Sequence, residues 1–205
     1  MTVIVITPPT ETPVSLVEAK AQLRITGTDD DDFISSLIRA VTATIDGPSG
    51  SIGRALVTQT LEYQVDYFPS CEIELPCRPV ASITSIKYDD SDATEQTLGA
   101  ATYRLVAPNI VGLVSGSSWP TALEQAGAVR VRYVAGYGVA SVVPAPIKQA
   151  ILLGVRHLYS LGERSLFVAG KKIEGVSETR WVVSDTASKI VQDATNSLLS
   201  TYRVW

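Results

Sequence analysis

Histidine occurs once in this sequence, at His157, and cysteine twice, at Cys71 and Cys77. That scarcity excludes a four-ligand zinc centre, which needs several thiolates or imidazoles together. It also leaves His157 as the only imidazole available as the general base of a nucleophilic hydrolase. His157 stands beside Leu158 and Tyr159 in a helical pattern, so it is read as a structural histidine. Cys71 and Cys77 are read as reduced thiols, with a disulfide between them as the alternative.

Long apolar runs are also missing. The opening Met1-Thr-Val-Ile-Val-Ile-Thr-Pro-Pro9 holds only four consecutive apolar residues and no basic stretch, which argues against a signal peptide and a membrane span. The expectation is a cytosolic product with no membrane partner. Basic charge is in short supply: 17 Lys and Arg against 21 Asp and Glu give a net charge of −4. A protein that wraps nucleic acid needs clustered cations to displace counterions, so that class is excluded.

Phosphate cradles are lacking too. Gly47, Gly50 and Gly53 are spaced three apart and mark a turn, not a dinucleotide fingerprint. Gly136-Tyr137-Gly138 has no Lys-Ser/Thr after it, and its glycines are read as serving backbone freedom. Asp29 to Asp32 lack the alternation and central Gly of a calcium loop and are read as a solvated helix start. Asp89-Asp90-Ser91-Asp92 reads as a turn. No catalytic, cofactor-binding or metal residues are expected.

What is present is a globular composition, 45% hydrophobic and 19% charged, over 205 residues. A compact domain of this size buries roughly 70% of its unfolded surface. Ser15-Leu-Val-Glu18 is a capping box that predicts a short helix to about Leu23. A second helix follows the aspartates, with Phe33, Leu37, Val41 and Ile45 on one face.

From Val57 the period changes to two through Tyr67, with Gln59 the exception on the apolar side. Further strands are predicted at 72–75, 82–88, 103–106 and 129–134, separated by Pro, Gly and Asp-Asp turns. After Gly138 the helical period returns, with Pro146 near a helix start and Ile147, Ile151, Val155, Leu158 and Tyr159 at helical spacing. Residues 162–178 read as a loop or hairpin. A last helix from about Asp185 carries Ile190, Val191, Ala194, Leu198, Leu199 and Tyr202.

Several short words of sequence stand in a distinctive order. They are Pro13-Val-Ser-Leu-Val-Glu-Ala-Lys20 with Leu23-Arg24, the acidic start at Asp29 to Asp32, and Gly53-Arg-Ala-Leu-Val-Thr-Gln-Thr60. They continue through Asp66-Tyr-Phe-Pro69, Leu75-Pro76, Pro79-Val80, Tyr88-Asp-Asp90, Tyr133-Val-Ala-Gly-Tyr-Gly138, Val143-Pro144, Ile147-Lys-Gln-Ala150 and Leu198-Leu-Ser-Thr-Tyr-Arg-Val-Trp205. In this order the chain resembles the head-tail connector (adaptor) proteins of long-tailed phages, the gp6-like and phiE125 gp8-like group.

That resemblance implies a structural connector, not an enzyme, assembled as a ring of about twelve copies beneath the portal. It implies a portal protein above, a stopper or tail-completion protein below, and DNA passing through the lumen without sequence-specific binding. The place of action would be the virion's head-tail interface, after assembly in the host cytoplasm. Another tail-completion or terminator-type module remains the alternative.

The expected fold is α+β, a mainly α-helical body with an inserted antiparallel β region. It is expected as a single connector domain over 1–205, helical at 15–47 and 146–202 and β-rich at about 56–135. Exposed strand edges in the β region are expected to contribute to subunit contacts. Tyr202, Arg203 and Trp205 are residue types enriched at interface hot spots. Two readings stand for them: packing back onto the core helices, or docking on the portal.

Overall fold

The computed structural model describes residues 1–163, 171–173, 177–179 and 185–204. The chain falls into two compact units, one of Met1–Pro13 and Ile45–Val143 with Val204, the other of Val14–Thr44 and Pro144–Arg203.

The first unit is built from strands β1 (Thr2–Thr7), β2 (Gln59–Val65), β3 (Ile73–Glu74), β4 (Val80–Asp89), β5 (Glu95–Thr97), β6 (Tyr103–Ala107), β7 (Ile110–Leu113) and β8 (Val129–Ala135). Five of them form one antiparallel sheet in the order β1-β2-β8-β4-β5, and three form a second in the order β3-β7-β6. Leu61 faces Tyr133, Tyr63 faces Val131 and Val65 faces Val129 across β2 and β8. Their period of two sends these side chains to one side, where they meet Ile73, Leu75, Ile86, Tyr103 and Val111 in a single apolar cluster. Each such Leu or Ile removed from water contributes about 2 kcal/mol.

The second unit holds α1 (Leu16–Leu23), α2 (Asp31–Ala43), α3 (Ala145–Glu163), the short strands β9 (Lys171–Ile173) and β10 (Ser177–Thr179), and α4 (Asp185–Ser200). Helices α1, α2 and α4 each pack against α3. Ser15 and Glu18 close the capping box reciprocally, as their spacing requires. Glu18 also accepts from Lys148 on α3, at 2.6 Å. Tyr159 donates to Asp30 at 2.7 Å, so one of the four aspartates ties the start of α2 to α3. Strands β9 and β10 pair antiparallel, a hairpin within the 162–178 segment; the rest of that segment beyond Glu163, apart from these strands, lies outside the described residues.

This architecture overturns the expectation of a mainly helical body with an inserted β region. Two antiparallel sheets, with an apolar cluster of their own, make a compact unit that is not subordinate to the helices. The strands missed in the sequence explain the error. β1 shows no alternation because neither of its faces is covered, five of its six residues being exposed. β5 and β7 are three and four residues long, below the length at which periodicity shows.

Of the predicted face Phe33, Leu37, Val41 and Ile45, the last two are buried, and only at the start of α2 does the buried face shift by one position, to Ile34 and Ile38. Ile34, Ile38 and Val41 are buried, whereas Phe33 is exposed and its ring lies 6.0 Å from that of Tyr159. Phe33 and Leu37 fit the same helical period, but only neighbours in space decide which stripe is covered.

Gln59, the polar exception in β2, is buried because it meets an equally unusual partner. Asp46 Oδ1 accepts from the Leu56 backbone N–H at 2.7 Å and from Gln59 Nε2 at 3.2 Å. Desolvation raises the Asp46 pKa against the pull of those donors. A carboxyl with a raised folded pKa contributes stability that is fully present below its unfolded value and is lost as the pH rises through the folded one. Asp46→Asn keeps the acceptor oxygen and removes the charge. It is therefore expected to match or exceed the parent in urea denaturation at pH 7 and to lose that advantage toward pH 4. A variant equally destabilised at both pH values would contradict this account.

Gly136 explains why the Gly136-Tyr137-Gly138 turn serves the backbone. Its φ is 121°, and a Cβ there would lie 2.5 Å from the Val57 carbonyl oxygen.

Candidate functional site

No group of three or more metal-ligating side chains comes together among the described residues. His157 is half-buried on α3, and its backbone carbonyl accepts from Ser160. Cys71 is exposed and Cys77 buried, both as free thiols, and burial pushes the Cys77 thiol up to about 11. A thiol held that far from ionisation is a poor nucleophile. Asp90 supports the predicted turn, accepting from the backbone N–H groups of Asp92 and Thr94 at 3.0 Å each.

Three surfaces of the described residues are open to solvent or charged. One is the sheet face opposite the apolar cluster. There Arg130 donates to Asp89 at 2.6 Å and to Glu95 at 3.0 Å, Arg132 to Glu62 at 2.7 Å, and Lys87 to Glu95 at 2.7 Å. The Arg130 hydrogen bond holds the Asp89 carboxyl below its usual range, and Asp89 in turn raises Arg130. Three of these pairs join neighbouring strands and Arg130–Glu95 reaches across β4, so the face neutralises itself.

The second surface is the outer edge of β1, which pairs with no strand among the described residues. Ile4, Val5 and Ile6 are 40%, 42% and 40% exposed, and the strand carries no charge, proline or glycine. Apart from that edge, beyond the Val65 end of β2 and beside the loop that enters β8, lies an open groove of about 420 Å³ lined by Asp66, Tyr67, Glu124, Gln125 and Ala126. Tyr67, read in the sequence as part of the long strand, lies beyond its end and is 61% exposed.

The third is the end of the chain. Tyr202 donates its backbone N–H to Leu199 at 2.9 Å, and Arg203 donates from Nη2 to Asn196 at 2.9 Å. Both are half-buried, and the Arg203 Nε is covered and has no hydrogen-bond partner among the described residues. Trp205 lies outside the described residues. Of the three surfaces, sequence reasoning named residues only at this one; the strand edges it expected lay in the region of about 56–135, which does not include β1. An edge strand's exposure is set by which strands pair, and the groove joins loops far apart in sequence.

The model for the family described as head completion protein matches residues 14–193, most of the chain and both of its units. The chain belongs to the head completion protein family. Its role is therefore that of a structural component of the head-tail joint of a phage-like virion. No curated protein matches it. Among solved structures, a chain in the virion of a native gene transfer agent particle has 21% identity and a TM-score of 0.71, covering 100% of this chain and 96% of that one. A chain in the neck of an empty particle computed with C6 symmetry has 20% identity and a TM-score of 0.71, with the same coverage. A chain in the neck of a native particle computed with C12 symmetry has 21% identity and a TM-score of 0.70, again with that coverage. At this identity the likeness shows that the family member shares their fold.

Proposed function

We propose that this head completion protein acts, without catalysis, as a ring-forming connector between the portal and the tail. It works as a single connector domain in about twelve copies. The family match carries this reading, and the necks of the similar particles, computed with C6 and C12 symmetry, support a ring. The self-neutralised sheet face and the net charge of −4 suit a wall past which DNA slides without being gripped. The portal lies on one side and a stopper or tail-completion protein on the other. Electron micrographs of the purified chain, alone and mixed with its portal, are expected to show rings on the portal. Monomer alone in both samples would refute the connector reading.

The end of the chain is proposed to dock on the portal through Tyr202, Arg203 and Trp205. Truncation after Leu199 is expected to weaken portal binding about tenfold or more while Tm stays within a few degrees. A lower Tm with unchanged portal affinity would assign these residues to packing instead.

A further inference from the structure

Gly47, Gly50 and Gly53, spaced three apart, fold into one closed loop of the first unit. The Gly47 N–H donates to the Arg54 carbonyl at 2.8 Å, and the N–H groups of Gly50 and Gly53 donate to the carbonyls of Gly47 and Gly50 at 3.1 and 3.2 Å. Asp46 and Arg54 bridge its two ends, and the fully buried Ile52 side chain roots it in the core. A loop with these internal bonds holds its shape before any partner arrives.

The end of the chain meets this loop. The Val204 N–H donates to the Ile52 carbonyl at 3.0 Å, and Val204 belongs to the same unit. Gly53 completes the contact. Its φ is 63°, and a Cβ built there would stand 3.5 Å from Val204 Cβ, so Val204 is the first group a side chain at position 53 would meet. The loop is thus a seat for Val204, which is half-buried.

Val204 stands between Arg203 and Trp205, two of the three residues assigned above to portal docking. A chain end fixed at its backbone has fewer conformations to lose on binding than a loose one. We infer that the Gly47–Gly53 loop positions the docking end of the chain, through the Ile52 carbonyl and the space left at Gly53. Ile52 and Gly53 are positioning residues, and the side chains of the tail are what touch the portal. This inference rests on the reading that the end of the chain docks on the portal, and names what sets the geometry of that end.

The test measures binding of full-length variants to immobilised portal protein. Val204→Pro removes the N–H and leaves Tyr202, Arg203 and Trp205 in place, and it is expected to weaken binding about tenfold or more. Val204→Ala keeps the N–H and is expected to bind within about twofold of the parent. A second pair acts from the loop. Gly53→Ala and Gly53→Phe carry the same backbone strain at φ 63°, but only the phenyl ring takes the space of Val204. Gly53→Phe is expected to bind about tenfold more weakly than Gly53→Ala and to exchange its Val204 amide hydrogen faster, a change that backbone strain alone does not produce.

Should Val204→Pro fail to fold, the two Gly53 variants decide. Equal losses for Val204→Ala and Val204→Pro would overturn the inference, since Val204→Ala keeps the bond to Ile52. Parental binding by Val204→Pro and Gly53→Phe, with truncation after Leu199 still damaging, would overturn it and leave the docking reading standing. Tighter binding by either variant would also overturn it, because the tail would then have to leave its seat to dock. Truncation after Leu199 without effect on portal binding would remove both readings.

Discussion

Replacing Tyr133 by alanine is expected to lower the unfolding free energy by about 4 kcal/mol, the largest effect of any single change considered. Tyr133 is fully buried at the middle of β8, the central strand of the five-stranded sheet, between Leu61 on β2 and Ile83 on β4. Its ring fills the apolar cluster, and its hydroxyl donates to the Pro76 carbonyl at 2.8 Å. Alanine leaves a cavity that neighbours held on three strands cannot collapse to fill. Tyr133→Phe separates the two contributions, because it keeps the volume and removes only the donor, at a cost of about 1 kcal/mol. Urea denaturation should show lower midpoints with unchanged slopes. Equal losses for the two variants would mean that the hydrogen bond, and not the packing, holds this position.

Gly154→Leu is expected to cost about 3 kcal/mol, although leucine is intrinsically the better helix former. Gly154 lies inside α3 where α2 comes closest, and a Cβ there would stand 2.8 Å from Val41 Cγ1. Val41 is itself buried, so it has little room to turn away. The helices must separate, and the Ile34, Ile38 and Val41 face of α2 loses contact along its length. Val41→Ala in the Gly154→Leu background is expected to recover about 1 kcal/mol or more, and a double-mutant cycle by thermal or urea unfolding measures that coupling. Simple additivity of the two changes would show that the close approach is not what requires glycine.

Together these two positions show where the sequence was readable. Both lie in elements whose type the residue pattern announced: the alternating run at 129–134 and the helical stripe after Pro146. The capping box at Ser15, the turn at Asp90 and the start of α4 at Asp185 were legible in the same way, because a few neighbouring residues determine each of them. Interactions of that range survive in a one-dimensional string.

Tertiary structure alone decided the rest. Nothing in Gln59 or Asp46 taken singly says that they would be buried together. Nothing in Phe33 says that the stripe beside it would face inward. The balance between sheet and helix turned on β1, β5 and β7, strands too short or too exposed to show a period, which exist because partners far along the chain complete their hydrogen bonds. The outer edge of β1 and the groove at Asp66 and Glu124 have the same origin. An edge is defined by the strand that is absent beside it, and a groove by loops that meet only after folding. The sequence determined which segments become helix or strand through contacts a few residues apart, whereas the surfaces offered to partners depend on contacts between residues separated by most of the chain.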